Sequence, residues 1–194
     1  MKPRRHLVVL AKAAVMGRVK TRLGRDIGRV KATGFYRHTV STVLRRLGQK
    51  NRWNCWLALS PDTASGKRCT PWQTIKQGEG DLGQRMDRAI RAMPPGPVVL
   101  IGTDIPAISP DHIEAAFKAL GHHDAVFGPA EDGGYWLVGA RRTPTLPDLF
   151  TGVRWSTEHA LSDTLNILKH KRVALLETLD DIDDASAYHR WLGR

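Results

Sequence analysis

The sequence lacks the long apolar segments that a membrane protein needs. Its first apolar run, residues 7–11, follows a basic start and ends at Lys12, and no long apolar span follows. A membrane-spanning helix needs about 20 mostly apolar residues, and a signal peptide needs an unbroken apolar region. The sequence therefore favours neither membrane insertion nor export. We expect residues 6–11 to be the first strand of a cytoplasmic protein.

Cysteine is also scarce, since only Cys55 and Cys69 are present. Two cysteines without metal-ligand spacing predict a core thiol and a loop thiol rather than a disulfide or a metal site. The sequence also lacks internal repeats, low-complexity segments and linkers. A length of 194 residues with 41% hydrophobic residues is enough for one core, so we expect a single domain over residues 1–194.

Acidic residues are outnumbered, with 19 Asp and Glu against 30 Lys and Arg, for a net charge of +11. Such a charge suits nucleic acid, an anionic membrane surface or a phosphorylated small molecule. The six Trp are scattered and not interleaved with a basic stripe, so the sequence lacks a nucleic-acid-binding signature. We expect most of these charges to be solvated and only local clusters to have a function.

What the sequence does contain is an alternation of strand and helix patterns. The predicted strands lie near residues 6–11, 53–60, 97–101, 124–128, 135–140 and 172–178, and the predicted helices near 30–47, 84–93, 110–120, 157–171 and 185–192. This order predicts an α/β fold, a mostly parallel sheet with helices on both faces. Residues 135–140 follow the preceding strand too closely for a helical crossover, which predicts an antiparallel or bent strand.

Acids follow the predicted strands. Asp104 comes directly after the apolar run 97–101, Glu131 and Asp132 follow the run 125–129, and four Asp lie within residues 180–184. Open α/β sheets bind ligands at the carboxyl edge of their strands. Carboxylates suit Mg²⁺ or Mn²⁺, which bridge to substrate phosphates. Within 180–184 we expect one acid to cap the last helix and another to face the crevice.

A basic loop follows the first predicted strand. Lys12, Arg18, Lys20 and Arg22 supply four cations, and Gly17 permits close backbone approach. This chemistry suits phosphate binding. The alternative is a solvated basic turn, but the position at the end of the first strand favours the phosphate site.

Residues 78–83 contain a G-x-G-x-x-G pattern, which is a weak signal for a dinucleotide site. Glu79 and Asp81 would face a pyrophosphate there, and residues 72–76 make a poor buried strand. We therefore do not adopt the dinucleotide site, because a loop that contacts a base or sugar, with Gly83 close to it and Arg85 reaching an anion, fits the pattern equally well. The alternative is a plain glycine-rich helix entry.

A second glycine pair, Gly133 and Gly134, lies between a strand end and the next strand. It predicts either backbone close to a ligand or an ordinary tight turn. We assign the pair to the substrate pocket, together with Glu131 and Tyr135. Trp155 precedes a helix-capping pattern, and it could also line this pocket.

Taken together, these segments resemble a bacterial family of GT-A-type glycosyltransferases within the nucleotide-diphospho-sugar transferase superfamily. The resemblance covers nearly the whole chain and rests on Lys12, residues 17–23, 78–86, 102–106, 128–135 and 155–157. It implies a Rossmann-like GT-A fold, a nucleotide donor and a divalent cation, Mg²⁺ or Mn²⁺. In the wider superfamily that ion is held at the positions matching Asp104 and Asp183.

The sequence departs from the family pattern at two places, where Ala14 replaces a common Pro and residues 183–185 replace Asp-Thr-Pro. More distantly, the chain resembles guanylyltransferases that activate 2-phospholactate.

The leading hypothesis is a metal-dependent glycosyltransferase that takes a nucleotide sugar and a small-molecule acceptor. Lys12, Arg18, Lys20 and Arg22 would hold phosphates, Asp104 and Asp183 the ion, and Asp132 would polarise the acceptor or order the crevice. The rival is a nucleotidyltransferase acting on a nucleoside triphosphate and a phosphorylated acceptor, because four cations exceed what a diphosphate needs. A non-catalytic polyanion-binding protein is the third hypothesis, suggested by net charge alone.

Overall fold

The computed structural model describes residues 5–48, 52–64, 72–142 and 145–193. The predicted loop thiol Cys69 lies outside these ranges. Cys55 is a buried free thiol, as predicted. No helix within the described ranges is both long and apolar enough to cross a membrane.

One sheet organises the described residues. Its strands are β1 (His6–Lys12), β2 (Asn54–Ser60), β3 (Gln73–Lys76), β4 (Gly96–Ile101), β5 (Ala125–Pro129), β6 (Tyr135–Arg142) and β7 (Val173–Leu175). They lie side by side in the order β3-β2-β1-β4-β6-β5-β7. Only β6 is antiparallel to its neighbours, β4 and β5, so the predicted reversal of this strand is confirmed.

Within the described ranges, six helices accompany the sheet: α1 (Thr21–Asp26), α2 (Arg29–Leu47), α3 (Leu82–Arg91), α4 (Pro110–Ala119), α5 (Ala160–Ile167) and α6 (Ala185–Leu192). Alternate residues of β1 point to opposite faces. Leu7 and Val9 join the buried side chains of α2 and α4, while Val8 joins those of α3 and the end of α5. The predicted α/β fold with helices on both faces is confirmed.

Two short elements differ from the sequence-based expectation. Residues 73–76 form the edge strand β3, where only Ile75 is even half-buried and the backbone pairs with β2. The predicted basic loop contains the six-residue helix α1, which buries Leu23. Each element depends on tertiary contacts more than on a hydrophobic pattern of its own, which explains why periodicity does not indicate it.

Candidate functional site

A cavity of about 440 Å³ lies at the carboxyl ends of β1 and β4. Because β6 runs in the opposite direction, its first residues lie at this edge. The wall includes residues 10–12, 18–22, 102–104 and 135–138, together with Gln77, Arg85 and Asp183. This is the edge at which open α/β sheets bind ligands.

Lys20 joins the two acids for which the family resemblance implies a metal. Its Nζ lies 2.6 Å from Asp104 Oδ1 and 2.6 Å from Asp183 Oδ1. The Lys20 side chain is only 3% exposed, whereas the side chains of Asp104 and Asp183 are 52% and 39% exposed. Arg22 lies further out, with Nη1 3.8 Å from Asp183 Oδ2. An enclosed ammonium thus sits between two carboxylates that solvent can reach.

The backbone explains how residues so distant in sequence meet. Asp104 follows the end of β4, and its carbonyl oxygen accepts a hydrogen bond from Ile182 N at 3.2 Å. Ile182 is buried against Leu23 of α1 and Phe35 of α2. This contact carries the acid segment to the cleft and places Asp183 in its wall.

The acids of residues 180–184 divide between structural and cleft positions. Asp184 accepts a hydrogen bond from Ala187 N at 2.8 Å and caps α6, and Asp180 pairs with Arg190 at 3.0 Å. Asp183 faces the cleft. Such a division between a capping acid and a crevice-facing acid is what we expected of this segment.

The electrostatics of the cleft are those of a crowded acid cluster with one internal cation. Burial lowers the pKa of Lys20, but the charges of Asp104 and Asp183 outweigh this effect and leave that pKa above its ordinary value. Burial raises the pKa of Asp181 to about 6, and the negative charges of Asp183 and Asp132 add to the shift. Sequence reasoning did not single out Asp181, because nothing in a run of acids shows which one becomes half-buried.

The residues predicted from sequence fall into two groups. The cavity is lined by Lys12, Arg18, Lys20, Arg22, Arg85, Asp104, Tyr135 and Asp183. The wall formed by the described residues does not include Gly17, Gly83, Glu131, Asp132, Gly133, Gly134 or Trp155. Gly17 instead lines a smaller cavity of about 310 Å³ together with residues 19–21, Arg25 and Arg29.

The glycine-rich segment before α3 has a structural explanation. Asp81 caps α3 by accepting from Gln84 N at 2.8 Å, and Gln84 Oε1 accepts from Asp81 N at 3.1 Å. A Cβ on Gly83 would lie 2.5 Å from the ring of Trp155. Gly83 therefore lets the Trp155 ring pack directly on the helix. Of the two interpretations, the glycine-rich helix entry describes the backbone, while Arg85 does reach the cavity.

The Gly133-Gly134 segment is a tight turn held against α5. Gly133 has φ +82°, and a Cβ there would collide with the backbone of Glu158. Its carbonyl oxygen accepts from Leu161 N at 3.0 Å, and Gly134 N donates to Asp132 Oδ1 at 2.9 Å. Protein, rather than open cavity, thus surrounds Gly133.

Gln77 is a cavity residue that sequence reasoning missed. It is 2% exposed, and its Nε2 donates to Ala11 O and Ala58 O, both at 2.8 Å. Because both amide hydrogens are used, the side chain is fixed with Oε1 as its remaining polar atom. Gln77 lies in a polar stretch at the end of β3, so no sequence signal marks it.

The donor atoms of the cleft fit a hard divalent cation. Asp104 Oδ1 and Asp183 Oδ1 both contact one nitrogen, so they can also converge on one ion. Mg²⁺ is often held by one or two carboxylates together with substrate phosphates and water. No cluster of three or more His, Cys, Asp or Glu in the described ranges could hold a metal. Substrate and water oxygens would have to complete the coordination.

Comparison with known proteins identifies relatives of this chain. Residues 43–157 match the family described as uncharacterized protein conserved in bacteria, DUF2064. No curated protein matches the sequence. A structure from Desulfovibrio desulfuricans G20, provisionally assigned as a nucleotide-diphospho-sugar transferase, is 30% identical with a TM-score of 0.81, covering 95% of this chain and 84% of that one. The resemblance to this superfamily is confirmed.

More distant structures share the fold. Rv0371c from Mycobacterium tuberculosis H37Rv, solved with manganese, is 20% identical over 100% of both chains with a TM-score of 0.56. CMP:2-keto-3-deoxy-manno-octonic acid synthetase, solved with CTP, is 11% identical with a TM-score of 0.59, covering 98% of this chain and 97% of that one. At these identities the likeness concerns the fold alone.

Proposed function

Because the chain belongs to the DUF2064 family of bacterial proteins and its cleft joins cations to an acid pair, we propose that it is a metal-dependent transferase with a nucleotide-activated donor. The observation that carries the proposal is the contact of Asp104 and Asp183 with one cation in a cavity lined by further cations. The acids can hold an ion, and the cations can hold phosphates.

Each residue has a distinct part in this proposal. Lys12, Arg18 and Arg22 bind donor phosphates from the side of β1, and Arg85 binds from the side of α3. Asp104 and Asp183 hold Mg²⁺ or Mn²⁺. The ion, when bound, offsets charge on the phosphates and stabilises the leaving nucleotide.

We further propose that the group transferred is a glycosyl group from a nucleotide sugar. The relative at 30% identity carries a provisional assignment to the nucleotide-diphospho-sugar transferases, which favours this donor. Asp132 is our candidate for polarising a small-molecule acceptor. It lies outside the cavity wall but close enough to raise the pKa of Asp181.

Nucleotidyl transfer is the second candidate, because of the number of cations in the cavity wall. Lys12, Arg18, Lys20, Arg22 and Arg85 all line the cavity. Five cations suit a triphosphate and a phosphorylated acceptor better than one diphosphate. The two reactions release different products, a nucleotide in one and pyrophosphate in the other.

A thermal-shift panel tests the proposal. The protein is screened with nucleotides, nucleotide sugars and a short DNA duplex, each with and without Mg²⁺ or Mn²⁺ at stated salt. A ligand at 100 times its Kd stabilises the fold by about 2.7 kcal/mol, which raises Tm by roughly 5–10 °C for a chain of this size.

We expect metal-dependent shifts with nucleotide sugars, followed by release of free nucleotide once an acceptor is found. Pyrophosphate release from a nucleoside triphosphate would establish the second candidate instead. A shift with DNA alone would contradict both candidates and support a polyanion-binding protein.

A further inference from the structure

The position of Lys20 conflicts with its proposed role as a phosphate ligand. As a phosphate ligand its ammonium should face the donor, yet its Nζ contacts both acids that would hold the ion. We infer that Lys20 is a built-in counter-ion of the metal site, which occupies the place between Asp104 and Asp183 in the free protein and moves to the donor phosphates when the divalent ion binds. This inference rests on the metal-dependent function proposed above.

The first reason is that the ammonium and the ion compete for the same oxygens. Lys20 Nζ lies 2.6 Å from one oxygen of each carboxylate. Mg²⁺ bound to those oxygens would be about 2.1 Å from each, and therefore within about 5 Å of the ammonium. Two cations this close repel each other strongly in an enclosed site. Binding of the ion to both carboxylates therefore favours departure of the Lys20 side chain.

The second reason is that the backbone of Lys20 is strained. Its φ of 46° and ψ of 49° lie in the left-handed region, which residues other than glycine rarely adopt. Such a conformation persists only where surrounding contacts hold it. The hydrogen bond and ion pairs to the two acids are the contacts that the Lys20 side chain makes. Loss of these contacts would free the side chain and remove one restraint on the strained backbone, whose carbonyl oxygen still accepts a hydrogen bond from Gly24 N at 2.8 Å.

The third reason is that the same cavity offers the Lys20 ammonium a second binding position, beside the proposed phosphate site. It lines the same cavity as Arg18 and Arg22, the neighbours proposed to bind phosphates. A lysine has a flexible four-carbon stem and a compact charge, so a small rotation can exchange carboxylates for phosphates.

The consequence is cooperative binding of ion and donor. Without Lys20, the negative charges of Asp104, Asp181 and Asp183 would repel one another in the free protein and attract any divalent ion. With Lys20 in place, the acid pair is neutralised and the ion binds weakly until donor phosphates attract the lysine. Metal and donor should therefore strengthen each other's binding, and linkage makes the effect reciprocal.

Titration of the nucleotide-free protein with Mn²⁺, followed by electron paramagnetic resonance of the free ion, tests this inference. Lys20→Met keeps the length of the side chain and removes its charge. We expect it to bind Mn²⁺ at least about tenfold more tightly than the wild type, within the usual range of coupling between sites. Adding a donor nucleotide should strengthen Mn²⁺ binding, after subtraction of the Mn²⁺ held by the same nucleotide without protein, in the wild type and much less in Lys20→Met.

Two variants serve as controls. Arg22→Met also removes one positive charge near Asp183, since Arg22 Nη1 lies 3.8 Å from Asp183 Oδ2. It leaves Lys20 between the two acids, so the Mn²⁺ affinity of this variant should differ from that of the wild type by less than about threefold. Lys20→Arg keeps a cation and should keep the weak affinity. If Lys20→Met fails to fold, Lys20→Gln provides the same test with a polar neutral side chain.

The outcomes separate the inference from the proposed function. Measurable Mn²⁺ binding that is equal in the wild type and Lys20→Met overturns the inference and leaves the metal-dependent function in place. An equal gain in affinity from Arg22→Met also overturns it, because the effect would then be general charge. Absence of Mn²⁺ binding in every variant, with or without nucleotide, overturns the metal dependence and the inference together.

Discussion

Replacing Gly133 with alanine should destabilise the protein, whereas the same change at Gly134 should not. At Gly133 an alanine must adopt φ near +82°, which costs about 1–2 kcal/mol. Its Cβ would also lie 2.7 Å from the carbonyl carbon of Glu158. Because backbone cannot rotate away as a side chain can, we add about 1–3 kcal/mol for overpacking. The expected loss of unfolding free energy is about 2–5 kcal/mol.

Gly134 provides a matched control one residue away. It has no positive φ, and its added Cβ would meet Asp132 Oδ1 at 3.0 Å, an atom at the end of an exposed side chain. Alanine gains about 0.4–1 kcal/mol at compatible sites by restricting the unfolded chain. We therefore expect Gly134→Ala to lie within about 1 kcal/mol of the wild type.

Urea and thermal unfolding of the two variants check this prediction. The loss at Gly133 corresponds to a fall in Tm of roughly 4–20 °C. Donor affinity measured per folded molecule should remain unchanged in both, because neither glycine lines the cavity. A Gly133→Ala protein as stable as the wild type would refute the reasoning. Loss of donor affinity without loss of stability would instead place the turn at the ligand.

Three further predictions concern the cleft and the core. Asp104→Asn should weaken Mn²⁺-dependent nucleotide binding, measured by calorimetry, at least about tenfold. It should cost no more than about 1 kcal/mol of unfolding free energy, because Asp104 is half exposed and Lys20 keeps its ion pair with Asp183. Unchanged metal-dependent affinity would contradict the assignment of Asp104 to the ion. Arg22→Ala should weaken nucleotide binding more than stability, and exposed Arg45→Ala should affect neither; equal binding by both variants would make the loop a plain basic turn. Burial raises the pKa of Cys55 to about 11, so its thiolate fraction at pH 8 should be about 100-fold below that of an exposed thiol, and mass spectrometry should find this residue alkylated only after unfolding.

The sequence predicts those elements of the fold whose own side chains are patterned for burial. The apolar runs of β1, β4 and β5 form central strands, and the short link at residues 130–134 correctly indicates that β6 is antiparallel. The edge strand β3 is held by backbone pairing to β2, which leaves no hydrophobic pattern to read. The predicted helix 157–171 and strand 172–178 are longer than α5 and β7, which cover residues 160–167 and 173–175.

Prediction of the site was limited by distance along the chain. Strand ends and charge identified Lys20 and Asp104 as candidates, because parallel strands end at one edge, whereas the family resemblance selected Asp183 within its run of acids. Their mutual contact joins residues 163 positions apart, and no local pattern reports it. The same limit applies to Gln77, whose importance depends on carbonyls of β1 and β2.

The hydrogen bond from Ile182 N to the carbonyl oxygen of Asp104 joins a late segment of the chain to the end of β4. This has a consequence for the order in which the parts of the cleft are synthesised. Every strand of the described sheet precedes Asp183 in the chain, since the last one ends at Leu175. A nascent chain that has already made the sheet therefore still lacks one carboxylate of the pair around Lys20. The proposed metal site is thus completed last, after the strands that precede Lys20 and Asp104 have been synthesised.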